Sequence, residues 1–337
     1  MLELTTTLKN VNAAVENDDR VQLCKLTVAS CEGSAVNLAG EVLDAATLEQ
    51  AVQQLKAGQP ELSFVTDGVT VLRNAQTRRL AVATNLLSLH REPSWLAEQL
   101  SQNLNGVVFE ILKENGRWAF VRQPDGYLGW SYLPYMGEPG PEPTHLVSEP
   151  VALMHQEPQA GSPAASRVLG GTFVTPGETK DGFTHLTLLG GRAGWVETSA
   201  LRPLSAIPAD AAARRKQMIA DAVRWMGVPY LWGGSSAFGI DCSGLAQLTH
   251  RLSGMTLPRD ADMQCVAGTE VAFPYQPGDL LFFGGEGDFR KITHVAVSLG
   301  GWDIIHSSRS NNGVYLDNVQ KVPHLKDSFV AARTFLK

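Results

Sequence analysis

Val228–Gly254 reads VPYLWGGSSAFGIDCSGLAQLTHRLSG, a glycine-loosened loop (Gly233, Gly234, Gly239) running into Cys242, Ser243 and Gly244. Leu245, Leu248 and Leu252 recur at helical spacing, and Gly254 is a stop signal. The pattern places Cys242 at or just before the first turn of a helix. There the unpaired N–H groups and the positive end of the dipole favour an anion, so a thiolate is expected to form more readily than in a free thiol. Many cysteines are simply packed into cores, and this stretch alone leaves both readings open.

The chain has 337 residues, which suggests two or three domains. Its 44% hydrophobic residues and 32 glycines fit a strand-rich globular protein, and a net charge of -6 argues against a nucleic-acid partner. MLELTTTLKNVNAAVENDDR lacks a basic start followed by an apolar core, so it is not a secretory signal. No apolar run reaches the roughly 20 residues that cross a bilayer, so no membrane partner is expected. Cys24, Cys31, Cys242 and Cys265 form no CxxC pair, and neither a metal nor another cofactor is expected. The expected location is the cytoplasm, although a trimmed chain would lack a signal too.

Residues 1–62 read as a small mixed segment without chemistry. VQLCKLTV and AVNLAGEVL are strand-like, and Asp44 can cap the helix ATLEQAVQQLK. Residues 63–138 and 146–204 share one layout. Glu92 and Pro93 match Glu157 and Pro158, Leu104 and Gly106 match Leu169 and Gly171, and Gly129 and Trp130 match Gly194 and Trp195, each 65 apart. Two copies of one small barrel are expected, separated by the proline-rich GEPGPEPTH. Both resemble bacterial SH3 domains, whose strands end in Gly-Trp. The register also isolates Tyr127, whose counterpart is Arg192, so the barrel itself does not require a tyrosine there. In residues 208–337 Asp210 can cap a helix from Ala211 to Met226 with Ile219, Ala222, Val223 and Met226 as its apolar stripe. Short apolar strands follow, giving an α+β domain with an antiparallel sheet.

A cysteine nucleophile needs a base and a group that orients the base. His294 opens HVAVSLG opposite the face of Val295, Val297 and Leu299, and His306 follows Ile304 and Ile305 in the next strand. A hairpin turning at Gly300 and Gly301 would bring the two imidazoles within hydrogen-bond reach. Cys265, in the middle of an expected helix, is the weaker rival nucleophile. His90, His145, His155, His185, His250 and His324 fall in turns, linkers or polar helix faces and read as structural or solvated.

GGSSAFGIDCSG, LPRDA, PGDLLFF, THVAV and IIHSS occur in the order found in the NlpC/P60 family of papain-like cysteine peptidases, which residues 208–337 resemble. With SH3-like modules ahead of it, the chain looks like the YkfC-type γ-D-glutamyl-L-diamino acid endopeptidases. The resemblance implies Cys242 as nucleophile, His294 as general base and then acid, and His306 as the residue orienting His294. It implies Tyr230 as an oxyanion donor beside the Cys242 backbone N–H. The implied substrate is the murein peptide L-Ala-γ-D-Glu-diamino acid, cut after the γ-glutamyl carbonyl. Asp260 would meet the free amine, with Tyr127 and Glu92 closing the site and Glu98 as the alternative to Glu92. Asp241 and Ser243 match peptide-contacting positions. Arg259 has two readings, a fork onto the D-Glu carboxylate or a structural salt bridge. The enzyme is expected to be a monomer. Other reactions of papain-like relatives (amidase, acyltransferase) and a wall-binding role for the paired modules are the competing readings.

Overall fold

The computed structural model describes residues 2–285 and 291–336, a mixed α/β chain in which strands predominate. It divides into two compact units, residues 1–80 with 109–131, and residues 81–108 with 132–337.

In the first unit, Cys24–Glu32 and Ala35–Val42 pair antiparallel, and Ser63–Val71 adds in parallel to Ala35–Val42. The helix Ala45–Gly58 makes the crossover that a parallel pair requires. Its cap is Asp44, whose carboxylate accepts from the Thr47 N–H at 3.0 Å. The boundary expected at residue 62 therefore falls inside this small layer, because Ser63–Val71 completes the amino-terminal sheet. A helix not anticipated from the sequence, Leu2–Glu16, places Leu4, Leu8, Val11 and Val15 in the same core.

The 65-residue register recurs element by element. Leu86–His90 corresponds to Val151–His155, Gln99–Leu104 to Ala164–Leu169, Trp118–Arg122 to Phe183–Thr187, and Leu128–Tyr132 to Ala193–Glu197. Even a side-chain bond repeats: His90 Nδ1 lies 3.2 Å from the Ala97 carbonyl, and His155 Nδ1 lies 3.0 Å from that of Ser162. In the second copy the strands form a five-stranded and a three-stranded sheet around Met154, Val168, Leu186 and Val196. Strand pairing among the described residues closes no barrel. The expected barrel is corrected to two sheets, since strands of two or three residues such as Phe173–Val174 are too short to carry the ladder around.

The carboxy-terminal part is built on a six-stranded antiparallel sheet. Its order is Thr269–Glu270, Phe329–Thr334, Leu280–Gly284, Ile292–Gly300, Asp303–Ser308, Gly313–Asn318. Strand side chains alternate between faces. Leu280, Phe282, Val295, Val297 and Ile305 join the core that also holds Leu245, Leu248 and Trp225. Leu281, Phe283, Ala296 and Ile304 pack on the other side with Leu325 and Ala332. The Asp210-capped helix ends at Ala222, followed by a 3-10 turn through Trp225. Its buried face is Met218, Ala222 and Trp225, whereas Val223 and Met226 are exposed, which corrects the expected stripe. Among the described residues no helix is long and apolar enough to cross a membrane.

Candidate active site

Cys242 is the first residue of the helix Cys242–Arg251, and Asp241 is its cap. The Asp241 carboxylate accepts from the Gly244 N–H at 2.7 Å and from the Gly233 N–H at 2.9 Å, which ties the preceding loop to the helix start. Glycine is required at both donors. A Cβ on Gly244 would stand 2.2 Å from the Gly234 carbonyl oxygen, and Gly233 has a φ of +72°. Arg259 forks onto both oxygens of Asp241 at 3.2 and 2.5 Å and donates to Ser243 Oγ at 2.7 Å, while Ser243 Oγ donates to Asp241 at 3.2 Å.

All three side chains are buried, Arg259 to 1% exposure. A carboxylate withdrawn from water needs a charged partner and donors for its lone pairs, and this cluster supplies both. The expectation that Arg259 meets a substrate carboxylate is therefore corrected to its other reading, the structural salt bridge. Asp241 and Ser243 likewise spend their side-chain oxygens on this cluster.

The Cys242 sulfur receives the backbone N–H groups of Val295 and Ser243. Burial nevertheless pushes the thiol up to about 12, helped by the Asp241 charge and opposed by those N–H groups and by Arg259. The helix start thus does not produce a thiolate at rest, and the expectation of an easily formed anion is corrected: desolvation outweighs the dipole.

His294 adjoins Val295, whose N–H faces the sulfur. Its Nε2 lies 2.7 Å from His306 Nδ1, and His306 Nε2 lies 3.0 Å from Asp317 Oδ2. The register that achieves this is the hairpin in which Val297 faces Ile305, with the turn at Gly300 and Gly301. A carboxylate only accepts, so His306 carries its proton on Nε2 and accepts through Nδ1. His294 must then carry its proton on Nε2, which leaves its Nδ1 lone pair free to take another. Burial lowers His294 to about 3, with smaller contributions from His306 and His324. Burial also lowers His306, against the pull of Asp317. Thiol and imidazole are therefore both neutral at rest.

Tyr230 stands at the edge of this site. Burial raises its phenol, as does the Cys242 sulfur, while a hydrogen bond from Arg309 lowers it. The Arg309 guanidinium lies 5.6 Å from the Tyr230 ring and 5.0 Å from the Trp232 ring. Trp232 is held in turn by the first repeat: its Nε1–H donates to Glu98 at 3.0 Å, and its carbonyl accepts from Gln99 at 3.1 Å.

Of the remaining expected site residues, Asp260 is half-buried at the N-cap of the helix Ala261–Ala267, where its side chain makes no capping hydrogen bond. Glu92 is exposed, and it is Glu98, its alternative, that touches the peptidase loop. Tyr127 is buried in the first compact unit, where its backbone N–H donates to Asp125 at 3.1 Å. Cys265 is buried in the core, and burial raises its thiol. His250 is fully buried rather than on a polar face, with Nδ1 2.8 Å from the Ala246 carbonyl and its ring edge-on to Phe335. Asp317, Arg309 and Trp232 were not singled out by the sequence. Asp317 had a signal in the alternation of GVYLDN, read across the strand pair to His306.

Residues 227–334 match the model of the NlpC/P60 family. The protein is a cysteine peptidase with an NlpC/P60 domain. It is 29% identical over 269 residues to a gamma-D-glutamyl-L-lysine dipeptidyl-peptidase of Bacillus cereus, covering 73% of this chain and 78% of that one. It is 28% identical over 251 residues to the protein of the same name from Bacillus subtilis, covering 70% and 81%. An NlpC/P60 family protein from Bacillus cereus ATCC 10987 has the same fold, with a TM-score of 0.67 and 22% identity over 77% of this chain and all of that one.

In this peptidase Asp317→Asn is expected to lower kcat about 10- to 10²-fold with little change in KM. An amide can donate to His306 Nε2, which reverses the chain of protons and places the His294 proton on Nδ1. Steady-state kinetics with ¹⁵N NMR of the imidazoles checks this. Wild-type kcat with the tautomers unchanged would remove Asp317 from the relay.

Proposed function

We propose that the protein hydrolyses the bond between γ-D-Glu and the diamino acid in murein peptides that begin with a free L-Ala. The observation that carries this reading is the Asp317–His306–His294 relay, which leaves a proton-accepting nitrogen next to the backbone N–H facing Cys242. The relatives named for γ-D-glutamyl-L-lysine cleavage supply the bond.

Because both groups start neutral, attack and proton transfer proceed together. The sulfur bonds to the γ-carbonyl carbon as His294 Nδ1 takes the thiol proton. The oxyanion that forms receives the Tyr230 hydroxyl and the Cys242 backbone N–H, donors aimed at charge that exists only after attack. The C–N bond then breaks, and His294 returns the proton to the departing amine. Water, deprotonated by the same imidazole, attacks the thioester; the C–S bond breaks, His294 returns that proton to the sulfur, and L-Ala-γ-D-Glu is released. Asp260 is the group assigned to the L-Ala amine. A requirement for that amine confines the enzyme to peptides already freed from sugar and suits a role in recycling them in the cytoplasm.

The test is cleavage of L-Ala-γ-D-Glu-diaminopimelate against the same peptide carrying muramic acid on the L-Ala nitrogen. Cleavage of the first alone is expected. Equal cleavage of both would end the free-amine requirement, and cleavage of neither would end the assignment of the bond.

A further inference from the structure

The substrate proposed above carries a second charge, the α-carboxylate of D-Glu. Arg259, the cation that the sequence reading offered for it, is occupied by Asp241 and shut away from solvent. We propose that Arg309 is the residue that receives this carboxylate.

Arg309 is exposed, follows the His306 strand, and forms no ion pair with any described residue. An exposed arginine ordinarily samples many rotamers, but here two aromatic faces, Tyr230 and Trp232, hold the guanidinium at 5.6 and 5.0 Å. The second face is itself fixed, since Glu98 holds the Trp232 indole and Gln99 its carbonyl. The rotamer entropy of the cation is thus spent before a ligand arrives, which is what a preformed anion site requires.

Position agrees with this role. The guanidinium reaches the Tyr230 phenol, which in turn senses the Cys242 sulfur. In a γ-linked glutamate the α-carboxylate carbon is four bonds from the reacting carbonyl carbon, a reach of roughly 5 Å. A carbonyl placed between Cys242 and the Tyr230 hydroxyl therefore brings that carboxylate within range of Arg309. A planar fork meeting a carboxylate supplies two parallel charge-assisted hydrogen bonds. The chemistry selects γ-D-Glu over its α-carboxamide, D-isoglutamine, a difference of one heavy atom at constant shape.

Because this assignment rests on the proposed γ-D-glutamyl hydrolysis, its test compares three peptides: L-Ala-γ-D-Glu-diaminopimelate, its D-isoglutamine analogue, and the analogue amidated only at the diaminopimelate carboxyl end. The wild type is expected to favour the first over the isoglutamine peptide by about 10- to 10²-fold in kcat/KM. Arg309→Gln should erase that preference by slowing the acid peptide far more than the isoglutamine peptide, and Arg309→Lys should restore part of it. Thermal melting checks that both variants are folded. Equal wild-type rates on acid and isoglutamine peptides would overturn the assignment. So would a loss in Arg309→Gln shared equally by both, which would mean that the arginine acts only through Tyr230. A preference set by the carboxyl-terminal amide would move the carboxylate to the diamino acid and also overturn it. If the wild type cleaves none of the three, the bond assignment itself fails and this one falls with it.

Discussion

Cys242→Ala is expected to lower kcat on a cleavable γ-D-glutamyl peptide by about 10⁴- to 10⁶-fold, with peptide binding retained. Of the other thiols, Cys265 and Cys24 are buried, and Cys31 is exposed in the amino-terminal sheet. The measurement is kcat by product release, with peptide affinity of the variant by calorimetry. Activity within tenfold of wild type would remove Cys242 as nucleophile.

The neutral resting pair adds a signature in pH. His294 at about 3 and Cys242 at about 12 do not titrate between those limits, so neither should place a limb on kcat/KM near neutrality. The pH dependence appears in stability instead. The unfolded chain protonates these histidines near 6.5, before the folded one does, so stability is full above pH 6.5 and declines as pH falls toward 3, with buried His250, lowered to about 4, acting in the same direction. On the alkaline side the unfolded thiol ionises first, near 9, and stability declines as pH rises beyond it. Urea denaturation at pH 5, 7 and 10 should therefore give its highest midpoint at pH 7.

What was legible in the sequence follows from how local the determining physics is. The start of the cysteine helix is written within a few residues by Asp241, the glycines and the leucine spacing. The histidine pair follows from alternation along two strands joined by a diglycine turn. The repeats were visible because one offset governs several residue pairs. The amino-terminal helix is legible too, since Leu4, Leu8, Val11 and Val15 keep helical spacing. Strand, helix and strand in succession also pointed to the parallel pairing of Ala35–Val42 with Ser63–Val71. Other features depend on chain segments that meet only after folding. Arg259 had two partners equally consistent with its spacing, and burial decides between them. Arg309 lies outside every recognisable motif and gains meaning only through the rings it touches, and Asp317 only once its strand is paired with that of His306.

The buried Asp241–Arg259 pair carries the second large effect. Arg259→Leu is expected to destabilise the peptidase domain by about 3–5 kcal/mol, because it leaves a carboxylate out of water with only backbone N–H groups and Ser243 as partners. Activity should fall as well, since the uncompensated Asp241 charge, adjacent to the sulfur, opposes any negative charge that develops there during attack. Arg259→Lys restores the charge but not the fork, and should recover only part of the loss. The informative variant is Asp241→Asn combined with Arg259→Leu. The amide oxygen still accepts from Gly244 and keeps the helix cap, and the stranded charge is gone, so the double variant should be more stable than Arg259→Leu alone. Denaturation midpoints of the three variants decide the matter. If Arg259→Leu melts with the wild type, the pair contributes no stability, and if the double variant is no better than the single one, the cost lies in lost packing of the guanidinium rather than in the charge left behind.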